Sequence, residues 1–258
     1  MKSLISPLFF CFAAAGIGLG APKELVIGME MSFPPFEMLD SSGQPAGVSV
    51  DMAKALGQFL GRPIRFENIP FDGLIPSLKT GKVDIVISSM TVTTDRAQSI
   101  DFSDPYLKMG LSILANKNSN IQSISDVDKP NIRVAVKKGT TGHVYAIQHL
   151  NNARVFVFND DATCATEVAQ GKADCMIYDQ VSVFQHWKRY PDSTRAILQP
   201  FQQEDWAVGL QKGNDSLRQQ INAFIKEFKQ NGGFNQLGTK YFSENKKALE
   251  AAGIPFFF

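Results

Sequence analysis

A single arginine, Arg96, stands among hydroxyl side chains in the stretch "SSMTVTTDRA", which follows an apolar run. A guanidinium can donate two parallel hydrogen bonds to one carboxylate, and Ser88, Ser89 and Thr91 offer further donors. Farther along, "KKGTTG" places Thr141 where a helix is expected to begin, and backbone amides at such an end also favour an anion. These residues predict a carboxylate site, although an arginine after a strand can equally be a surface ion pair.

A lone acidic residue supplies the opposite charge. Asp179 ends the apolar segment "ADCMIYD", and a carboxylate there could hold an ammonium group or simply cap the following helix. The aromatic residues Phe33, Phe71 and Tyr178 would give a small-molecule cleft its apolar walls, unless they belong to the core. Together the two charges predict a site for a zwitterion.

Alternating elements are expected to position these residues. Short β-branched runs at 24–29, 64–68 and 83–88 alternate with helical patterns at 50–61 and 71–81, the second of which Asp72 should cap. The same order recurs from residue 132 to residue 190, and 216–233 is a strongly amphipathic helix. Two such βαβ series predict two α/β lobes with mostly parallel sheets, whose ligands bind at the carboxyl ends of strands.

Composition excludes several classes of protein. The chain has 258 residues, with 26 Lys and Arg against 25 Asp and Glu, so it carries no field that would attract nucleic acid. His143, His149 and His186 lack the spacing of metal ligands, and no GxSxG, HExxH or P-loop motif occurs. No cofactor or metal is therefore expected.

The first twenty residues have the character of a secretory leader. Lys2 precedes an almost uncharged stretch that ends in small residues, with cleavage expected after Gly20 or Ala21. An uncleaved anchor helix is the alternative; lipidation at Cys11 is disfavoured because Phe10 precedes it. Export would leave Cys164 and Cys175 in an oxidising compartment, where they could form a disulfide or stay buried as thiols.

Four segments carry a family resemblance. "VIGMEMSFPPFEMLDSSGQPAGVSVDMAKAL", "FDGLIPSLKTGKVDIVISSMTVTTDRAQSIDFSDPYL", "VAVKKGTTG" and "GKADCMIYD" resemble, in order from about Lys23 to Tyr241, the bacterial extracellular amino-acid-binding proteins of ABC importers. The resemblance implies two doubly wound, Rossmann-like lobes that close on an amino acid in the cleft between them. It places lobe 1 at 21–106 and 206–258 and lobe 2 at 107–205, joined by a two-stranded hinge near 105–109 and 202–206.

The resemblance also assigns roles. The matching arginine, threonine and aspartate grip the backbone of the amino acid, and the main-chain carbonyl of Ser88 meets its ammonium group. Glu30 matches the position that senses the ligand side chain, with Lys137 opposite. A free Glu30 would favour a basic amino acid, whereas a Glu30–Lys137 pair would suit a neutral amide such as glutamine; the basic ligand is slightly preferred.

Three functions are compared. The first is a periplasmic, monomeric binding component of an amino-acid importer, which docks on a membrane permease. The second is an enzyme that resembles the cyclohexadienyl dehydratases, which is disfavoured because their prephenate-like substrate has no ammonium group for Asp179. The third is a soluble amino-acid sensor.

Overall fold

The computed structural model describes residues 22–251, apart from the side chains of residues 243–245 and 247–251. The expected leader, Cys11 and the tail "GIPFFF" lie outside the described residues. In chain order the strands are β1 (Leu25–Met29), β2 (Ser32–Phe33), β3 (Glu37–Leu39), β4 (Pro45–Ala46), β5 (Ile64–Asn68), β6 (Ile85–Val86), β7 (Asp101–Phe102), β8 (Leu107–Asn116), β9 (Arg133–Lys137), β10 (Arg154–Phe158), β11 (Cys175–Asp179), β12 (Thr194–Trp206) and β13 (Gly209–Leu210). The helices are α1 (Val48–Leu60), α2 (Phe71–Lys79), α3 (Thr94–Ser99), α4 (Thr141–His149), α5 (Asp161–Ala169), α6 (Gln180–Arg189), α7 (Asp215–Gln230) and α8 (Gly233–Ala251), with a 3-10 turn at Ile124–Asp126.

Two five-stranded sheets form the centres of two α/β lobes, as the sequence predicted. The first has the order β5-β1-β6-β13-β7 and the second the order β10-β9-β11-β8-β12. Pairing is parallel between β1 and both of its neighbours, and between β9 and both of its neighbours. A small third sheet, β2-β3-β4, follows β1.

Each main sheet contains one reversed strand. In the first sheet β13 is antiparallel to β6 and β7, and in the second β8 is antiparallel to β11 and β12. Both are the first strands that the chain forms after it passes from one sheet to the other. A crossing strand enters its new sheet without a preceding crossover helix, so it need not run parallel to its neighbours.

The two crossings run side by side. β8 and β12 pair from Leu111↔Gln202 to Leu107↔Trp206, at the place where the hinge was expected. Strands of the first sheet lie within 25–102 and 209–210, and strands of the second within 107–206. The expected lobe boundaries agree with this arrangement and stay a prediction.

Helices cover the sheets as the apolar patterns indicated. α1 buries Met52 and Leu56 and ends at Gly61, whose φ of 61° is the left-handed conformation that glycine adopts readily. α7 contacts α1, with the rings of Phe59 and Phe224 5.7 Å apart, and α8 also contacts α1. The C-terminal helices therefore return to the first lobe. No helix within residues 22–251 is both long and apolar enough to span a bilayer.

The expected cap of α2 is wrong. The helix begins at Phe71 after Pro70, whose backbone is extended (φ −51°, ψ 143°), and Asp72 lies inside the first turn. There its charge still favours the helix N-terminus, and its carboxylate pairs with Lys138 of the other lobe, 2.8 Å away. Cys164 and Cys175 are both buried free thiols.

Candidate functional site

A cavity lies between the two lobes, where strand ends of both sheets meet. It holds about 430 Å³ of empty space, counting the open solvent at its mouth. Its described lining residues are Glu30, Phe33, Glu37, Phe71, Ser88, Ser89, Thr91, Arg96, Leu111, Thr140, Thr141, Tyr178, Asp179, Glu204 and Trp206. Every site residue predicted from the sequence is in this set except Lys137.

Arg96 is held by main-chain carbonyls from both lobes. Its Nη1 donates to the carbonyl of Thr91 at 2.8 Å, and its Nη2 donates to the carbonyl of Gly139, across the cleft, at 3.0 Å. The guanidinium carbon also lies 5.4 Å from the centre of the Phe71 ring. Burial lowers the pKa of Arg96 to about 10, so the side chain stays charged at neutral pH and can face an anion.

Asp179 caps a helix, which is one of the two roles that the sequence allowed. It ends β11 and caps α6, because its Oδ1 accepts from the amides of Val181 and Ser182 at 3.0 Å. Its Oδ2 is buried and has no hydrogen-bond partner among the described residues. Burial raises the pKa of Asp179 to about 6, so this carboxylate is ionised at neutral pH and lacks a counter-ion at Oδ2.

The serine turn after β6 is supported by a buried acid that the sequence analysis missed. Ser89 has a φ of 49°, a strained conformation for a residue other than glycine and one that often marks a functional site. Hydroxyls of Ser88 and Ser89 donate to Glu37 at 3.3 and 3.2 Å. Burial raises the pKa of Glu37 to about 8, so at neutral pH Glu37 is mainly a neutral carboxylic acid.

A second missed acid, Glu204, lies on the hinge strand β12. The hydroxyl of Thr91 donates to its Oε2 at 2.9 Å, and a β-bridge between Thr91 and Trp206 holds the two segments together. Burial raises the pKa of Glu204, while hydrogen bonds to Thr141 and Thr91 and the charge of Arg96 oppose the rise. The sequence does show that Glu204 and Trp206, two residues apart, share one face of this strand. Which face meets the cavity depends on the pairing of β12 with β8.

Glu30, which lines the cavity, also belongs to a buried series of charged groups that joins the two lobes. Lys137 is 1% exposed, forms a salt bridge with Glu30, and lies 3.9 Å from Asp161 Oδ1. Asp161 in turn pairs with His186 at 2.9 Å, and the amide of Phe71 donates to Glu30 Oε1 at 3.3 Å. The ammonium group of Lys137 thus faces two carboxylates, and Lys137 is not among the described lining residues. Neither Asp161 nor His186 was singled out as a site residue.

Aromatic side chains form the remaining walls. Phe33 of the first lobe meets Tyr178 of the second edge to face at 5.8 Å, and its ring lies 6.1 Å from that of Trp206. With the bonds of Arg96 and Lys138 across the cleft, these contacts show the lobes closed on one another. No group of three or more His, Cys, Asp or Glu side chains suited to a metal ion occurs among the described residues.

Comparison with known proteins bears on this arrangement. The profile of a family described as bacterial extracellular solute-binding proteins, family 3, matches residues 25–244. A relative from Neisseria gonorrhoeae, named a probable histidine-binding protein, is 30% identical over 95% of this chain and 97% of its own length.

Solved structures agree with the fold. An ancestral arginine-binding protein bound to arginine matches with a TM-score of 0.80 and 31% identity, over 86% of this chain and 100% of the other. The ancestral amino acid-binding protein AncCDT-1, described as a precursor of cyclohexadienyl dehydratase, matches with a TM-score of 0.78 and 35% identity, over 85% of this chain and 95% of its own.

Proposed function

We propose that this chain, which belongs to the bacterial extracellular solute-binding proteins of family 3, is the substrate-binding component of an ABC amino-acid importer. It holds one polar or basic L-amino acid between its lobes. The observation that carries this proposal is the pair of opposite charges in one cavity: Arg96 at one side and the unpartnered Oδ2 of Asp179 at the other.

The ammonium group of the amino acid binds Oδ2 of Asp179. A buried carboxylate oxygen without a donor costs free energy, and an ammonium group supplies both the donor and the countercharge. Oδ1 already caps α6. The cap fixes the orientation of the carboxylate, so Oδ2 is in place before the ligand binds. The Ser88 carbonyl, by family resemblance, accepts a further hydrogen bond from the same group.

The α-carboxylate faces Arg96. The described hydrogen bonds of Arg96 go to uncharged carbonyls, so no described carboxylate bonds directly to its guanidinium, and Glu204 acts on its charge only from a distance. Thr91 and Thr141 supply hydroxyls, and the amide of Thr141 belongs to the first turn of α4, where no helical carbonyl precedes it.

Lobe closure couples these contacts. Arg96 and Thr91 belong to the first lobe, whereas Thr141 and Asp179 belong to the second. Only the closed form makes both sets of bonds, so the ligand shifts the open and closed populations towards closure.

The charges around the cavity support a basic side chain over a neutral one. With His186 neutral, the formal charges on Glu30, Lys137 and Asp161 sum to −1, and Glu30 is the member of this group that lines the cavity. The Glu30–Lys137 pair itself keeps a neutral amide such as that of glutamine as the alternative, since Glu30 already accepts bonds at both oxygens.

Transport rather than catalysis is the proposed role. The relatives reported above are named for binding, and a prephenate-like substrate would leave Asp179 without its ammonium partner. We place the mature protein in the periplasm after loss of the leader, as a monomer whose loaded, closed form docks on a permease of the cytoplasmic membrane.

A thermal-shift screen of the ligand-stripped protein tests the proposal. The panel holds the twenty amino acids, ornithine, citrulline and prephenate. A ligand at about a hundred times its dissociation constant adds about 2.7 kcal/mol of stability. Stabilisation by lysine or arginine supports the basic ligand, and stabilisation by glutamine supports the amide. If prephenate alone raises the unfolding temperature, the proposal of transport is replaced by that of a dehydratase-like enzyme.

A further inference from the structure

Glu204 binds a donor that the proposed function gives to the ligand's carboxylate. Thr91 donates to its Oε2 at 2.9 Å, and Thr141 lines the same cavity and favours the ionised form of Glu204. One threonine belongs to each lobe, and Glu204 lies between them on the hinge strand, 6% exposed and in the wall of the cavity. With the lobes closed, Glu204 therefore already uses a donor that a bound carboxylate would need.

The surroundings of Glu204 cannot neutralise two carboxylates. The charged groups that act on it are Arg96 from α3, which attracts it, and Asp179 at the end of β11, which repels it. On its own strand Gln202 Nε2 lies 3.4 Å from Oε1, and Asp205 is exposed on the opposite face. An amino acid's carboxylate would bring a second anion to Arg96 and the two hydroxyls.

We propose that Glu204 is a built-in competitor for the carboxylate of the incoming amino acid, and that the amino acid binds only together with a proton on Glu204. This inference rests on the proposed function. The proton comes from solvent and adds to a carboxylate oxygen of Glu204. The neutral acid then acts as a hydrogen-bond donor, and Thr91, Thr141 and Arg96 donate to the carboxylate of the ligand. Release of the amino acid returns the proton to solvent.

Affinity is therefore linked to pH. Wherever Glu204 is ionised in the free protein, each pH unit upward weakens binding by up to about tenfold, since one proton accompanies each ligand. Asp179 is ionised by pH 7.5, because its pKa is about 6. Glu37, with a pKa of about 8, titrates within the pH range of the measurement. Its contribution to the pH dependence of binding cancels when the compared variants all retain Glu37.

Titration calorimetry measures the proton directly. The ligand from the screen is titrated at pH 7.5 in phosphate and in Tris, whose heats of ionisation differ, and the slope of the observed enthalpy gives the protons taken up. The variants are Glu204→Gln, which keeps the shape without the charge, and Asp205→Asn, which removes a charge from the same strand outside the cavity. Far-ultraviolet circular dichroism checks that both fold.

We expect uptake approaching one proton per ligand in the wild type and in D205N, and at least about half a proton less in E204Q. Between pH 7.5 and 8.5 the wild type should weaken by up to about tenfold, and E204Q by less than about threefold. No uptake in the wild type, or equal uptake in E204Q, would overturn the role of Glu204 while leaving the binding function intact. Absence of binding by any amino acid would instead refute the proposed function.

Discussion

Replacing Asp179 with asparagine should weaken ligand binding and stabilise the ligand-free protein, two effects of opposite sign from one atom. Asparagine caps helices about as well as aspartate, so the bonds from Val181 and Ser182 to Oδ1 should survive. What the substitution removes is the negative charge at Oδ2. The two effects therefore report on the cavity rather than on α6.

The loss of affinity follows from the burial of Asp179, which is 5% exposed. Breaking a buried ion pair by removing one partner costs about 3–5 kcal/mol, and each 1.4 kcal/mol is a factor of about ten. The dissociation constant for the amino acid should thus rise roughly 100- to 4,000-fold.

The gain in stability follows from the pKa. Folding raises the pKa of Asp179 from 3.8 to about 6, so the ionised carboxyl costs the ligand-free protein about 3 kcal/mol above pH 6. An unpartnered asparagine amide returns about 1–2 kcal/mol of that cost, which leaves a net gain of about 1–2 kcal/mol, or roughly 2–6 °C in Tm. The gain should disappear as the pH falls from 6 towards 4, because the charge cost is lost once the wild-type carboxyl is protonated in both folded and unfolded states. Below about pH 4 only the cost of the asparagine amide should remain.

Calorimetry with the identified ligand and thermal unfolding of ligand-stripped protein measure both effects. Asp160→Asn is the matched control, since Asp160 caps α5 by accepting from the amide of Thr163 at 2.7 Å and does not line the cavity. It should change neither affinity nor the pH dependence of Tm. Wild-type affinity in D179N, or a ligand-free Tm lowered at pH 7.5, would refute the reasoning.

Three further predictions concern other cavity residues. Arg96→Ala should abolish binding of any amino acid in calorimetry, because it removes the carboxylate partner; retained affinity would dismiss the assignment. Glu30→Gln should weaken binding of arginine far more than binding of glutamine, and equal losses for both ligands would show that Glu30 does not select the side chain. Folding raises the pKa of Glu37 from 4.5 to about 8, so the ligand-free protein should lose stability towards denaturant between pH 6.5 and 8.5. Glu37→Gln should lose less, and an unchanged loss would place the titration elsewhere.

Local patterns were enough to predict the elements and the main charged residues. Apolar periodicity located the two βαβ series, and polar residues after apolar runs marked the carboxyl ends of strands, where Arg96 and Asp179 lie. These features depend on neighbours within a few residues. The start of α2 was predicted correctly but its cap was not, because the helix begins at Phe71 directly after Pro70 and Asp72 lies inside the first turn.

Residues that reach the cavity from outside those strand ends were not predicted. Glu37 follows the "SFPPF" turn in the small third sheet, and Glu204 lies within the second hinge crossing. Neither stands after an apolar run. Asp161 carried a helix-start signal like that of many capping residues, and only the packing of β9 against α5 brings it to Lys137.

The sequence by itself determined the two α/β lobes and the opposite charges of Arg96 and Asp179, because these depend on periodicity and on polar residues that follow apolar runs. The crossing segments were expected only from the family resemblance. The tertiary structure alone decided which groups those charges meet. Lys137 lies 107 residues from Glu30 and Glu204 lies 113 residues from Thr91, so both contacts exist only in the folded chain. Burial, which raises the pKa values of Asp179, Glu37 and Glu204, is likewise a property of the folded chain.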